Sequence, residues 1–435
     1  MTEPVIASVK GRRIWDSRGR PTVEAEIALS DGAVGRGIAP AGASRGSHEA
    51  VEKRDGGPRL GGLDVQTALA GIKAEIAPAL LGRDPVDQAG LDSALVALDG
   101  SPNLSRLGGN AITAVSLAVL HAAAASRREP LWRHLLGDAP ALTPLPQIQI
   151  FGGGAHAGRR TDIQDFMVVA PRARSFAEAL ETTAEIYRAA GKIMEERGLL
   201  AGIADEGGWW PAFSTNEEAL DTLMLAIDRA GFTPGAEAAI FLDVAASEFG
   251  SAGAYRLGLE KRELDRDGLA ELLIRWCDRY PILSIEDPFA EDDVLGFQRF
   301  VAAAGDRVQI VGDDLLVTNA DNVRAAAHEA SATAVLLKVN QAGTVSATQA
   351  ALKEAQSAGF GTIVSARSGE TEDVAIVHLA IGWSAGQLKV GSFARSERMA
   401  KWNEALRIEE ALGGKARFAG LDALPARMRQ SGRTP

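Results

Sequence analysis

Five short apolar runs in the second half of the chain each end at a side chain that can take part in chemistry. The runs are AAIFLD, PILSIED, VQIVGDD, AVLLKVN and GTIVSARS, and the side chains belong to Asp243, Glu286, Asp313, Lys338 and Arg367. Successive members lie 25 to 43 residues apart, a suitable length for one strand and the helix that leads to the next strand. A strand must end in something polar, so one such residue means little. Five in register indicate a shared site.

Three of the five side chains, those of Asp243, Glu286 and Asp313, are carboxylates with no cysteine or histidine close by in the sequence. Oxygen ligands of this kind suit Mg²⁺, a hard cation that keeps some of its waters and often binds substrate oxygens. The alternative is that the acids cap helices. For the second acid of each pair, Asp287 and Asp314, we expect capping or support of the neighbouring acid. For the first three we expect a metal.

Two lysines, a glutamate and a histidine are candidates for proton transfer. Lys338 would lie beside the cation, and the field of the cation together with burial is expected to lower its pKa and provide a neutral base. Lys389, in GQLKVG, is either an exposed loop charge or part of a short buried strand, and its apolar neighbours favour the strand. Glu206, in the glycine-rich IADEGGWWP, is a candidate acid. His156 lies in GGGAHAG, which we interpret as a mobile flap.

A metal, a lysine base and carboxylates together indicate one class of reaction. A proton leaves the carbon next to a carboxylate, the cation holds that carboxylate, and an acid then expels a leaving group. A calcium loop is a weaker explanation. The segment ELDRDG begins like an EF-hand loop, but its twelfth position is Ile274, where a glutamate is required.

Composition excludes several other classes of function. The net charge of −11 argues against a general nucleic-acid binder but not against a small anionic substrate, which a few local cations can hold. The single cysteine, Cys277, excludes a disulfide framework. No N-terminal signal and no run of about 18 apolar residues is visible. We therefore expect a cytoplasmic protein with no nucleic-acid partner and no membrane partner.

The positions of these residues require a fold that brings distant strand ends together. Beyond the proline-rich LTPLPQIQIF, short apolar runs alternate with helical stretches, which predicts a parallel βα barrel whose C-terminal strand ends meet at one mouth. An open doubly wound sheet is less favoured because no GxGxxG follows the first strand. We predict an N-terminal α+β domain over residues 1–140, a barrel over 141–420 and a tail over 421–435.

Local patterns predict several elements in detail. PTVEAEIALSDGAV alternates apolar and polar residues and then turns at Asp31–Gly32, which predicts a hairpin. AITAVSLAVLHAAAA predicts a buried helix. Asp64 is expected to cap a helix over residues 65–80, and Ser175 with Glu178 forms the sequence of a capping box.

Eight longer motifs resemble, in order, those of the enolase family. They are DSRGRPTVEAEI, GASRGSHEA, DEGGWWP, SIEDPFAEDD, GDDLLVTN, LLKVNQAGT, RSGETED and ARSERMAKWN, and they extend over nearly the whole chain. The resemblance implies an α+β domain followed by a barrel with irregular first βα units, two Mg²⁺ ions, the second bound with substrate, and a homodimer or higher homo-oligomer. It also implies a hydro-lyase that removes the C2 proton and expels the C3 hydroxyl of a 2-phosphoglycerate-like acid.

The resemblance also assigns roles position by position. The residues that resemble metal ligands are Asp243, Glu286 and Asp313 for the first Mg²⁺ and Ser44, in a closing loop, for the second. The residues that resemble catalytic groups are Lys338 as the C2 base, Glu206 as the group that assists loss of the C3 hydroxyl, Asp165 and His156. The residues expected to bind the phosphorylated or phosphonylated substrate are Lys389 at its carboxylate, Arg367 and Ser368 at its phosphate, Gln164 and Arg45.

The chain departs from the usual family pattern at five of these surrounding positions. Ala366 stands where histidine is usual, Asp165 where glutamate is usual, and Gly152 where asparagine is usual. Ala41 replaces a serine, and Arg45 replaces a threonine in the closing loop. Three of the changes remove side-chain volume, and the arginine adds a planar donor that suits a carboxylate or a phosphate. We therefore expect an enlarged pocket for a larger anion.

An enlarged pocket favours a specialised branch of the family. Carboxyphosphonoenolpyruvate synthase, from phosphonate biosynthesis, is similar to enolase and acts on an analogue with an extra carboxylate, and our first hypothesis is that this chain resembles it. The alternative is an ordinary glycolytic enolase that converts 2-phospho-D-glycerate to phosphoenolpyruvate. Less favoured hypotheses are a non-catalytic binding paralogue and another reaction of the wider superfamily, such as racemisation.

Overall fold

A computed structural model describes residues 3–43 and 46–431. The N-terminal part is an antiparallel sheet covered by helices. Its strands, in the order in which they pair, are β1 (Ile6–Trp15), β2 (Pro21–Leu29) and β3 (Val34–Ile38). Its helices are α1 (Gln66–Gly71), α2 (Ala77–Leu80), α3 (Gln88–Asp99), α4 (Gly109–Ser126) and α5 (Leu131–Leu136), with a π-helical turn, Ile72–Ile76, between α1 and α2.

The helix α4 packs directly on β2 and β3 because the facing residues are small. A Cβ atom added to Gly37 would come within 2.5 Å of the backbone of Ala114 and Ala118, so only glycine allows this approach. The helix has the length and hydropathy of a membrane span, yet 83% of that window is buried inside the protein. The predicted buried helix is thus confirmed, and the sheet and neighbouring helices cover its apolar surface.

The second part is a closed barrel of eight strands. In chain order they are β5 (Leu145–Gly152), β6 (Asp165–Val169), β9 (Ala239–Asp243), β13 (Ile282–Glu286), β14 (Gln309–Gly312), β15 (Ala334–Leu337), β16 (Gly361–Ser365) and β17 (Gln387–Gly391). Pairing of β17 with β5 closes the ring. β6 runs antiparallel to both of its neighbours, and the other pairs are parallel. The barrel was predicted from the alternating pattern, and the antiparallel second strand fits the irregular first units that the resemblance implies.

Further strands and helices surround the barrel. The short strands are β4 (Leu142–Thr143), β7 (Leu200–Ile203), β8 (Trp209–Pro211), β10 (Gly250–Ser251), β11 (Ala254–Leu257), β12 (Arg262–Asp265) and β18 (Arg417–Phe418). The helices are α6 (Phe176–Glu196), α7 (Asn216–Arg229), α8 (Arg266–Arg279), α9 (Val294–Ala304), α10 (Ala320–Glu329), α11 (Val339–Ala342), α12 (Val345–Ser357), α13 (Ala375–Gly382), α14 (Ser396–Leu412) and α15 (Ala426–Ser431).

Glutamine side chains fill part of the barrel interior, toward the N-terminal ends of the strands. Gln147 donates to Gln387 at 3.0 Å, and Gln387 donates to Gln309 at 2.8 Å. Gln309 in turn donates to the hydroxyl of Ser284 at 2.9 Å. Buried amides of this kind are tolerated because their partners are other buried amides. The network forms a polar floor below the opposite end of the barrel.

The segment that follows β3 connects the two parts across the C-terminal end of the barrel. Ala41 and Gly369 form an isolated antiparallel bridge. The backbone N–H of Ala50 donates to the carbonyl of Gln341 at 2.9 Å. Ser44 and Arg45, predicted to bind the second metal and the substrate, belong to this segment and lie outside the described residues.

The prediction that Asp64 caps the first helical region is wrong. Asp64 pairs with Arg13 of β1 at 2.9 Å. The carboxylate of Asp55 instead accepts the N–H groups of Gln66 and Thr67 at 2.8 and 2.9 Å. Asp64 accepts the backbone N–H of the adjacent Val65 at 2.9 Å while Arg13 binds both of its oxygens, and it does not cap the N–H groups further along the helix.

Two other local predictions are confirmed. The hairpin turns at Asp31–Gly32, where Gly32 has a φ of 89°. Ser175 caps α6 by accepting the N–H of Glu178 at 3.1 Å. The return bond of the capping box goes to the neighbouring residue, since Glu178 accepts the N–H of Arg174 at 2.8 Å.

Candidate active site

The predicted strand-end residues meet at one mouth of the barrel. Asp243 and Glu286 are the last residues of β9 and β13 and lie opposite each other in register. Asp313 and Lys338 directly follow β14 and β15, and Arg367 lies two residues beyond β16. All five are buried. Parallel strands that end on the same rim therefore bring these side chains together, as expected for a barrel.

Lys389 belongs to the buried strand β17, so the interpretation as an exposed loop charge is excluded. Its Nζ lies 2.8 Å from Asp243 Oδ2 and 2.8 Å from Glu286 Oε2. It also lies 3.5 Å from Asp165 Oδ2. Burial opposes the charge, but Asp243 and Glu286 outweigh it and raise the pKa of Lys389 well above its usual value. The ammonium of Lys389 therefore lies between the carboxylates of Asp165, Asp243 and Glu286.

Lys338 forms a close ion pair with Asp313 through Oδ2. The other oxygen of this carboxylate, Oδ1, accepts a hydrogen bond from Gln341 at 2.8 Å. Burial acts to lower the pKa of Lys338, but contact with Asp313 outweighs burial and raises it. The lowered pKa was expected beside a bound cation, and it stays a prediction for that state.

The carboxylates at the mouth are not all paired equally with the two lysines. Burial, followed by the nearby Asp243, raises the pKa of Glu286 well above its usual value. Glu286 Oε1 is buried and accepts no hydrogen bond from the residues that the structure describes. The second acids support this arrangement, since Asp287 accepts the N–H groups of Asp313 and Asp314 at 2.9 and 2.8 Å. An unpaired buried carboxylate oxygen in an all-oxygen set fits a divalent cation such as Mg²⁺.

His156 is buried and lies next to Asp165, whose other carboxylate oxygen faces Lys389. Its Nδ1 lies 3.1 Å from Asp165 Oδ1, and its Nε2 lies 3.0 Å from the hydroxyl of Ser368 and 3.8 Å from Glu206 Oε1. Burial disfavours the imidazolium, but Glu206 and Asp165 outweigh burial and raise the pKa of His156 to about 9. Burial of Asp165 acts to raise the pKa of its own carboxyl, but contact with His156 outweighs burial and keeps that pKa well below its usual range. This group places a proton donor in hydrogen-bond contact with the Asp165 carboxylate and 3.8 Å from the Glu206 carboxylate.

Arg367 is aimed at a carboxylate from the N-terminal part of the chain. Its guanidinium binds both oxygens of Glu49, at 2.9 and 3.2 Å, and also contacts Asn340 at 3.1 Å. Glu49 raises the pKa of Arg367 against the effect of burial. The predicted anion-binding arginine thus holds the segment that crosses the barrel mouth.

Gln164 was predicted to bind substrate, and the structure places it against a predicted metal ligand. Its amide nitrogen donates to Asp243 Oδ2 at 3.0 Å. Its Oε1 is buried and has no hydrogen-bond partner among residues 3–43 and 46–431. The side chain therefore orients Asp243 and leaves one acceptor turned toward the interior.

Family models match both parts of the chain. The model described as "Enolase, N-terminal domain" matches residues 6–135, and the model described as "Enolase, C-terminal TIM barrel domain" matches residues 140–426. The chain belongs to the enolase family. Enolase 1 of Desulfitobacterium hafniense is 49% identical over 416 residues, which cover 95% of each chain. Enolase of Acidothermus cellulolyticus is 47% identical over 425 residues, which cover 97% of this chain and 98% of the relative.

Membership of the enolase family makes this chain a hydro-lyase, and the identities favour an ordinary enolase over the specialised branch. The structure also removes one argument for an enlarged pocket. A Cβ atom at Gly152 would come within 2.5 Å of Ala204 Cβ and within 3.3 Å of both amide atoms of Gln149. The space that a larger residue would occupy is therefore already filled. Ala366 is buried, and its N–H donates to the carbonyl of Lys389 at 2.9 Å.

Sequence reasoning missed three residues that contact the predicted site. Gln149 donates to Asp165, Gln341 donates to Asp313, and Glu49 pairs with Arg367. The available signals were weak. Gln149 is one of two glutamines spaced by two in an otherwise apolar strand, which places both on the same face of the strand. Glu49 and Gln341 lie within two of the motifs that carry the resemblance, GASRGSHEA and LLKVNQAGT, but nothing in the sequence pairs them with their partners.

Proposed function

We propose that this chain converts 2-phospho-D-glycerate to phosphoenolpyruvate, the reaction of an ordinary glycolytic enolase. The observation that carries the proposal is the composition of the barrel mouth. Two buried lysines pair there with three carboxylates at strand ends, and the raised pKa of His156 favours its protonated form. The relatives named enolase, 47% and 49% identical over nearly their full lengths, support this substrate over the larger phosphonate analogue.

The residues of this chain divide the reaction between two sides of the mouth. Lys338 removes the C2 proton as a neutral amine. The contact with Asp313 seen in the structure keeps the lysine charged, so the pair must first separate and the ammonium must release its proton to solvent. On the opposite side, Glu206 assists departure of the C3 hydroxyl. His156 lies next to Glu206 and holds a proton at neutral pH. Lys389 binds the substrate carboxylate.

Asp243, Glu286 and Asp313 would hold the first Mg²⁺. The unpaired Oε1 of Glu286 and the all-oxygen donor set fit such an ion. Mg²⁺ bound there would supply positive charge beside the substrate carboxylate. The second ion, with Ser44 as its ligand, stays a prediction.

The phosphate end of the substrate is assigned to Arg367 and Ser368. Arg367 is already bidentate to Glu49, so an incoming phosphate must share or displace that carboxylate. Roles for Gln164 and Arg45 in substrate binding stay predictions, as do a cytoplasmic location and a homodimer or higher homo-oligomer.

The test is turnover of 2-phosphoglycerate with Mg²⁺, followed by ultraviolet absorbance of the enolpyruvyl product. We expect kcat of about 1–10³ per second. Lys338→Met should abolish turnover, while Lys353→Met, which removes an exposed lysine, should not change it. Turnover that is absent in the wild type and restored by Ala366→His with Asp165→Glu would refute the proposal. That result would favour a substrate such as the larger phosphonate analogue.

A further inference from the structure

One buried amide, that of Gln149, links Asp165 to the loop that carries Glu206. These are the two carboxylates nearest to His156. Gln149 is 1% exposed and lies on the inner face of β5. Its Nε2 donates to Asp165 Oδ1. Its Oε1 accepts the backbone N–H of Gly208, two residues after Glu206, at 2.8 Å. The side chain therefore joins the strand that carries one carboxylate to the loop that carries the other.

Only one orientation of this amide satisfies both partners. A carboxylate can only accept a hydrogen bond, and a backbone N–H can only donate one. Turning the amide over would place its oxygen against the carboxylate of Asp165 and its NH₂ group against the N–H of Gly208. Both contacts would then be repulsive. Gln149 is consequently fixed in direction as well as in place.

Two glycines make room for this side chain. A Cβ atom at Gly208 would lie 2.5 Å from Gln149 Oε1. A Cβ atom at Gly152 would lie 3.3 Å from both Nε2 and Oε1 of the same amide. These separations are tighter than ordinary van der Waals contact. The cavity is thus shaped around an amide of this length.

The length of Gln149 matters because the carboxylate it holds is on a short side chain. Asp165 Oδ1 receives both Gln149 and the Nδ1 of His156, while Oδ2 lies 3.5 Å from Lys389. Lengthening Asp165 by one methylene would drive its carboxylate into Gln149. Shortening Gln149 by one methylene would leave a gap at the same place. The two lengths are complementary.

We propose that Gln149 is a positioning residue that sets the Asp165 carboxylate and the Glu206 loop in one fixed relation for proton transfer. The inference rests on the proposed function for its catalytic meaning, because Glu206 is taken there as the group that assists loss of the hydroxyl. The contacts of Gln149 with β6 and with the Glu206 loop do not depend on the identity of the substrate.

The first test compares Gln149→Leu with Gln147→Leu. Gln147 is a matched control, since it lies two residues earlier on the same strand, is equally buried, and donates to Gln387 rather than to Asp165. Misplacement of a reacting group by about 1 Å can cost about 10²-fold in rate. We expect kcat to fall by about 10–10²-fold in Gln149→Leu with KM changed less than threefold. Gln147→Leu should lose stability but keep kcat. Equal losses of kcat in both variants would overturn the proposal.

The second test does not require activity. The N–H of Gly208 donates to Gln149, so its exchange with deuterium should accelerate in Gln149→Leu and stay slow in the wild type and in Gln147→Leu. Unchanged exchange in all three proteins would show that the amide does not hold the loop. If the wild type fails to turn over 2-phosphoglycerate but shows the expected exchange, the proposed substrate is wrong and the positioning contact stands.

The third test exchanges one methylene between the pair. Asp165→Glu and Gln149→Asn should each lower kcat, and the double variant should recover to a value above both single variants. Recovery requires that the two side chains act through their mutual contact. Losses that simply multiply in the double variant would contradict the assignment, and they remain measurable even if Gln149→Leu does not fold.

Discussion

Replacing Asp165 with asparagine should lower the pKa of His156 by one unit or more. The two side chains are in direct contact, with His156 Nδ1 lying 3.1 Å from Asp165 Oδ1. Both are fully enclosed, so solvent does not screen the interaction. Asparagine keeps the size of the side chain and can still accept the hydrogen bond from Gln149, but it carries no charge. The substitution therefore removes mainly the electrostatic contribution.

The magnitude follows from the balance at His156. Burial alone would keep the ring neutral, yet Glu206 and Asp165 raise its pKa from 6.5 to about 9. That difference corresponds to about 3 kcal/mol in favour of the imidazolium. Two carboxylates share an effect that also overcomes burial, so removing one charge should lower the pKa by at least one unit.

The sign of the linked stability change is fixed by the direction of the pKa shift. A histidine whose pKa is raised by folding contributes its full stabilisation below the unfolded value of 6.5 and loses it as pH rises through about 9. The wild type should therefore lose up to about 3 kcal/mol of unfolding free energy between pH 6.5 and 9.5 through this group. Asp165→Asn should lose clearly less over the same interval.

The assay is an NMR titration of the metal-free protein labelled at its six histidines. The resonance that disappears in His156→Gln identifies the ring. Asp162→Asn is a matched control, because Asp162 lies in the same loop but binds the N–H of Gly258 instead of the histidine. A wild-type His156 that titrates at or below 6.5 would refute the reasoning, as would an unchanged titration in Asp165→Asn.

Three further predictions concern stability and reactivity away from the mouth. Lys401 is fully buried and pairs with Glu370 at 2.9 Å, so Lys401→Met should cost about 3–5 kcal/mol in urea unfolding, and a loss below about 1 kcal/mol would contradict this. Burial, partly offset by Glu404, lowers the pKa of His378 to about 4, so folding should lose stability as pH falls from 6.5 toward 4. In His378→Leu that loss should be smaller, and an identical pH dependence of unfolding in both proteins would exclude it. Burial raises the pKa of Cys277 to about 12, so iodoacetamide at pH 8 should label the folded chain about 10³-fold more slowly than the urea-unfolded chain. Comparable labelling rates would show that the thiol is accessible and ordinary.

The structure changes how two of the departures from the family pattern are interpreted. Gly152 does not enlarge the pocket, because Gln149 and Ala204 occupy the space beside it. Asp165 is a shorter acid, but it is met by an amide that reaches its carboxylate. Both observations argue against an opening of the pocket at these two positions. Ala366 remains without such compensation in the described contacts, and the double reversion under the proposed function addresses it.

Several features follow from the sequence alone because neighbours along the chain decide them. The hairpin at Asp31–Gly32 and the Ser175 cap depend on residues within a few positions of each other, and both are found as predicted. The barrel and the meeting of Asp243 with Glu286 follow from repeated units of similar length, since parallel strands end on one rim. The eight long motifs occur in the family's order, and they indicate membership of the enolase family from the sequence alone.

Other features depend on partners that are distant in sequence, and only the tertiary structure supplies them. Asp64 does not cap the helix, and its two oxygens bind Arg13, from another strand. The pKa of Lys338 is raised against the effect of burial because Asp313, 25 residues away in sequence, forms an ion pair with it. The spacing places Gln149 on the same face as Gln147, but its two partners come from β6 and from the Glu206 loop. Sequence periodicity specifies which way a side chain faces, whereas its charge state and hydrogen bonds depend on the residues that folding brings against it.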